Sequence, residues 1–162
     1  MDKQAFLKFC SGVFKTNGFE RKGNAYYYDN LNGILLVFGL QKSSYGPYYY
    51  LEYGLAFKRI NKHLPYPHYY ELDMNLGRIM TPFGKALRYE SMQEAECTVF
   101  AMSIQSKIDE LRPIIDGGKE QIVDQLVFPE PNNISYLLKG CAEFLGVSNE
   151  HFKKHRIAIV DD

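Results

Sequence analysis

Glu52 is the residue whose setting asks most for a chemical explanation. It falls inside Tyr48-Tyr49-Tyr50-Leu51-Glu52-Tyr53, where a carboxylate among aromatic rings must be paired or solvated. In a strand, side chains alternate, so Tyr48, Tyr50 and Glu52 share one side. A carboxylate, phenols and the Gln41 amide on one surface can hydrogen-bond a polar ligand. They can equally form the amphipathic contact area that tyrosine gives to interfaces. His68, which follows Pro65-Tyr66-Pro67, can bring an imidazole from a loop beside the sheet. The candidate binding set is Tyr26, Gln41, Tyr48, Tyr50, Glu52 and His68, with no catalytic residue identified. The plainer alternative is a wet sheet face with Glu52 solvated, as antiparallel sheets commonly have.

Other chemistries find less in the chain. His151 and His155 lie four apart at helical spacing, as zinc ligands can, but no third ligand accompanies them and no metal site is expected. No serine or cysteine stands in a nucleophile elbow. The stretch from Gly77 to Gly84-Lys85 lacks the spacing and the hydroxyl of a phosphate loop. No cofactor is expected. The basic run Lys153-Lys154-His155-Arg156 suits a helix C-terminus, and 19 Lys+Arg against 19 Asp+Glu argues against nucleic acid. Three separated cysteines, Cys10, Cys97 and Cys141, fit free thiols in a reducing cytoplasm. Met1-Asp2-Lys3 leads into an amphipathic segment rather than a signal peptide. No apolar run reaches the ~18 residues of a membrane span.

The elements that position the candidate set are two hairpins. Asn32-Gly33 reads as a two-residue type I′ turn between strand 24–29 and a strand starting at Ile34. Leu31 then faces Ile34, Asp29 faces Leu36 and Tyr27 faces Phe38. A second turn over 42–47, with an even loop such as 43–46, pairs Leu40 with Tyr49 and Phe38 with Leu51. Both turns then place Tyr27, Ile34, Leu36, Phe38, Leu40, Leu51 and Leu55 on one apolar face that needs a cover. The other face carries Asn24, Gln41 and Tyr48; Tyr26, Gly39 and Tyr50; and Tyr28, Val37 and Glu52. Gly39 leaves a gap between two tyrosines on that face, one that rings can cover.

The rest supplies the cover. Asp2 caps a helix to about Asn17, with an apolar stripe of Ala5, Phe6, Phe9, Cys10, Val13 and Phe14. Residues 58–70, with Pro65 and Pro67, read as loop, and 72–80 as a fourth strand. Ser91 and Glu94 form a capping box before a long helix that buries Met92, Ala95, Val99, Met102, Ile108, Leu111 and Ile115 and stops at Gly117-Gly118. Shorter helices are expected over 119–127, 134–145 and 149–155. The 162 residues, 46% of them hydrophobic and 23% charged, suit one domain, 1–162, burying roughly 70% of its unfolded surface. The fold class is α+β: an antiparallel β-meander with helices packed on one face.

Gly18-Phe19-Glu20-Arg21-Lys22-Gly23-Asn24, Tyr26-Tyr27, Gln41-Lys42-Ser43 with Tyr45, and the strand ending in Gly54 resemble a bacterial family catalogued as domain of unknown function 4304. The resemblance is best over residues 5–57. It implies a small bacterial α+β domain and brings no catalytic residue. The functional expectation is a cytoplasmic protein-binding module, of the immunity-like kind, using the tyrosine-rich face. The alternative is a small ligand-binding domain or enzyme with a pocket near Gln41, Glu52 and His68. The partner is another protein or a second copy of the chain, and neither a membrane nor nucleic acid.

Overall fold

In the computed structural model, residues 1–79, 87–128, 136–148, 150 and 157–161 are described. Helix α1 (Lys3–Thr16) starts where its cap predicts, with Asp2 Oδ1 accepting the Ala5 N–H at 2.7 Å. It buries Phe6, Cys10 and Phe14 against a sheet of five antiparallel strands that neighbour one another in chain order. The strands are β1 (Glu20–Lys22), β2 (Ala25–Asp29), β3 (Ile34–Lys42), β4 (Tyr48–Phe57) and β5 (Met74–Ile79), with β6 (Leu87–Arg88) beside the start of β4. The α+β meander is thus as expected. The short strands β1 and β6 are additions to it.

The β3–β4 hairpin keeps the expected parity and shifts its partners. Leu40 faces Leu51, Phe38 faces Tyr53 and Ile34 faces Phe57. Ser43 N–H donates to Tyr48 O at 2.9 Å, so the even loop is 44–47. The first hairpin departs by one residue. Asn30 N–H donates to Ile34 O, and its side-chain Oδ1 receives the Ile34 N–H, so the turn is the three-residue loop 31–33. Leu31 adopts φ 63 there. Tyr26 therefore faces Phe38, Tyr28 faces Leu36 and Tyr27 faces Val37. A one-residue slip inverts a strand, so Tyr26 and Tyr28 join the apolar face and Tyr27 leaves it. The two-residue hairpin turn is instead Gly23-Asn24, with Gly23 at φ 59 in the position where a type II′ turn takes glycine.

The 72–80 strand is realised as β5. A bulge opposite Tyr53 and Gly54 inserts Leu76, which lets both Met74 and Ile79 reach the core despite their opposite parity. Met80 lies outside the described residues. Helix α2 (Glu94–Asp116) begins two residues later than the Ser91 box implies. Gln93 N–H donates to Glu96 Oε2 at 2.9 Å, while Ser91 ends a short 3₁₀ turn (Tyr89–Ser91). Its buried face is Cys97, Phe100, Ile104, Ile108, Leu111, Ile114 and Ile115, so the expected Val99 and Met102 are exposed, Met102 at 67%. Helix α3 (Lys119–Ile122) continues into a π-helical turn (Val123–Val127), within the expected helix 119–127. The expected 134–145 helix is split: β7 (Tyr136–Leu138) pairs in parallel with β8 (Ala158–Val160), and helix α4 is Lys139–Leu145. His151 and His155 lie outside the described residues.

One contiguous core joins α1, α2, α3 and α4 to the Phe38 side of the sheet. Phe38 lies 5.1 Å from the Phe14 ring centre and 5.6 Å from that of Tyr53, and Phe57 stacks on Phe144 at 4.6 Å. The helices thus occupy one face. No helix among the described residues is long and apolar enough to cross a membrane.

Candidate functional site

The opposite face is built from small residues. Ala25, Val37, Gly39, Gly54 and Ala56 alternate with the aromatic positions of the core face. Loop 58–73, including a cis Leu64–Pro65 bond, crosses this face as a strap. Leu64 and Leu72 pack on Ala25, Tyr27, Leu35, Val37 and Ala56 as a second, smaller cluster. Tyr27 meets the Tyr66 ring edge-on at 5.2 Å, and its hydroxyl donates to Pro67 O at 2.9 Å. Asp73 anchors the strap's end, its Oδ2 accepting the Phe57 N–H at 2.7 Å.

Gly39 is the seat of this cover. A Cβ placed on it would lie 2.3 Å from Tyr69 Cβ, inside any real contact. The gap is therefore filled, not by Tyr26 and Tyr50, but by a tyrosine from the strap. Glu52 flanks Gly39 in the same row, and Arg78 faces Glu52 from β5. Arg78 Nε donates to Glu52 Oε1 at 2.7 Å, and Nη2 lies 2.5 Å from the same oxygen. Glu52 is only 8% exposed, so the carboxylate is paired rather than solvated. Burial first, and then the Glu52 charge, push the Tyr69 phenol above its ordinary pKa.

Beyond that row, toward the 44–47 loop, the face is less covered. Gln41, Tyr48 and Tyr50 are half-buried. The Arg78 guanidinium sits 4.2 Å from the Tyr50 ring centre and that of Arg88 sits 5.9 Å from Tyr48. Arg88 is exposed and has no carboxylate within ion-pair distance among the described residues. A guanidinium close over one phenol ring and a second near another present flat apolar surface and positive charge together.

Four members of the expected set, Gln41, Tyr48, Tyr50 and Glu52, thus share one face. Tyr26 does not. It is 1% exposed in the helix-covered core, stacked on Phe14 at 4.1 Å, and burial pushes its phenol up to about 12. His68 is exposed on the strap and stacks on Tyr70 at 4.9 Å. Arg78, Arg88 and Tyr69 were not anticipated. A signal for Arg78 existed, because Glu52 in a sheet requires a cation and Arg78 is the cation of the adjoining strand. Among the described residues, one cleft opens under the strap and another at the hairpin end of the sheet, bounded by Lys42, Ser43, Ser44, Gly46, Pro47, Tyr89 and Glu90. Neither is lined by Gln41, Glu52 or His68.

A family model described as Domain of unknown function (DUF4304) matches residues 11–126, from within α1 through the sheet and α2 to the π-helical turn. This is more than twice the stretch over which the resemblance was legible. No curated protein and no solved structure matches the chain.

Proposed function

Because the chain belongs to the DUF4304 family, whose description carries no activity to inherit, we propose on geometry that it is a binding module for another protein, docked on the hairpin end of the strapped face. The observation that carries this reading is the pair of arginine–tyrosine contacts, Arg78 over Tyr50 at 4.2 Å and Arg88 near Tyr48 at 5.9 Å, beside Gln41. Tyrosine and arginine are the residues in which interface energy concentrates, because each offers large rigid area with polar ends. The Glu52–Arg78 pair holds one stack in place, which lowers the ordering cost of binding. A cytoplasmic setting suits the buried thiols of Cys10 and Cys97, neither of them in a disulfide. The bacterial origin and the immunity-like role rest on resemblance and on fold analogy.

The test is a photo-crosslinking residue placed at Tyr48 and, as control, at exposed Met102 on α2, in intact cells. The reading expects a discrete adduct from position 48 that is absent from position 102 and is lost with Arg88→Glu. An adduct of twice the chain's own mass would identify a second copy as the partner. Equal adducts from both positions, or none from position 48, would overturn it.

A further inference from the structure

At the other end of the strapped face, next to the 31–33 turn, lies a separate cleft of about 440 Å³. Leu35 and Tyr27 line it from the sheet, Leu64, Pro65 and Tyr66 from the strap, and Glu20, Asp29 and Lys58 supply its charges. That volume is in the usual range of small-molecule sites, and the mixture of an apolar body with a few polar groups is their usual composition. The lining holds two carboxylates against one ammonium.

Both carboxylates already hold ammonium groups of the chain. Lys58 Nζ lies 2.5 Å from Asp29 Oδ2. Lys22 of β1 does not line the cleft and sits at its rim against two residues that do: its Nζ is 2.9 Å from Glu20 Oε1 and 4.8 Å from the centre of the Tyr66 ring. The Tyr66 hydroxyl donates to the same Glu20 oxygen at 3.0 Å, fixing ring and carboxylate together. Lys22 thus shows what the corner accepts: a cation between a carboxylate and a tyrosine face. The Lys22 and Glu20 side chains are 48% and 58% exposed, so their pair is weak and exchangeable. Hydrogen bonds from Lys22 and then Tyr66 hold the Glu20 carboxyl below the usual range, so it is ionised at neutral pH.

We propose that this cleft binds a small organic cation, an amine or guanidinium carried on an apolar body. Its charge replaces Lys22 between Glu20 and the Tyr66 ring, and its body lies against Leu35, Leu64 and Pro65. An anion is disfavoured because Lys58 is committed to Asp29 and the ring faces are electron-rich. The site is independent of the protein-docking surface, which lies at the opposite end of β3 and β4.

The experiment is a methyl-resolved NMR titration of the whole chain with three probes of one shape: 2-phenylethylamine, uncharged 2-phenylethanol and 3-phenylpropionate. The amine should shift the Leu35 and Leu64 methyls and bind about fivefold tighter than the alcohol, the scale of one exposed cation contact. Glu20→Gln should remove that advantage. Lys22→Ala should do the reverse and tighten the amine about two- to threefold, because it vacates the corner; a merely structural Lys22 would not produce this. Methyl shifts far from the cleft report that each variant is folded. Stronger binding of phenylpropionate, no tightening with Lys22→Ala, or no shift at Leu35 and Leu64 would each overturn the proposal.

Discussion

The two faces of one sheet are covered in different ways. On the helix side β3 and β4 project Ile34, Leu36, Phe38, Leu40, Leu51, Leu55 and Phe57, and helices fill the space above them. On the strap side the same strands offer Val37, Gly39, Gly54 and Ala56 to a loop. Regular helices satisfy their own backbone, so they stand off from a sheet and need large side chains to bridge the gap. An irregular strap comes close, and then the sheet must lose volume, as at Gly39 under Tyr69. The described strap covers only part of its face. The remainder, with half-buried Tyr48 and Tyr50 and two arginines, is the proposed recognition surface.

The largest test of this contrast is Phe38→Ala. Phe38 is fully buried among Phe14, Phe19 and Tyr53. Its loss should cost about 3–5 kcal/mol in urea denaturation, and a cost below ~1 kcal/mol would deny that volume holds the helix side. Second is alkaline pH. Burial pushes the Tyr26 phenol from 10 up to about 12 and the Cys10 thiol from 9 up to about 12. The folded state keeps protons that the unfolded chain releases. Stability is therefore whole below about pH 9 and declines as pH rises toward about 12. Tyr26→Phe should flatten that decline by about 2–3 kcal/mol, read from denaturation midpoints across the window. An unchanged slope would show that this phenol is hydrated.

Gly39→Ala acts on the other side. The new methyl collides with Tyr69 Cβ, which cannot swing aside without moving the strap backbone. A loss of about 2 kcal/mol is expected, with faster hydrogen exchange over 60–72 and little change in α1 or α2. Exchange that rises in the helices as well would merge the two covers into one unit. Smallest is Asp2→Ala, about 1 kcal/mol for a lost helix cap. It should fray α1 in circular dichroism and leave the strap's exchange unaltered.

Where local chemistry decides, the sequence was readable. Asp2 as a cap, the stripe of α1 and the even second turn all have short-range causes, and they set α1 and the faces of β3 and β4. Asn32-Gly33 misled, because Leu31 takes a left-handed conformation and makes the turn three residues long. That one extra residue carried Tyr26 from the expected site into the core. The first half of α2 was phased wrongly because Val99 and Met102 look as apolar as Cys97 and Phe100. The strap was recognisable as a loop from its prolines, yet its seat on Gly39 joins residues 30 apart in sequence and has no local signature. Glu52 was correctly the odd residue, and its partner followed only once β5 lay beside β4.

Along β4 the tyrosines alternate, Tyr49 in the core and Tyr48 and Tyr50 toward the surface. Tyrosine-selective chemical modification of the native protein, mapped by mass spectrometry, tests this alternation most directly. Tyr45 and Tyr70, 94% and 67% exposed, should react first, followed by Tyr48 and Tyr50. Tyr49 and Tyr26, each 1% exposed, should stay intact until the protein unfolds. Modification of Tyr49 and Tyr26 with Tyr48 and Tyr50 protected would mean that the faces are reversed and that the proposed recognition surface is the core.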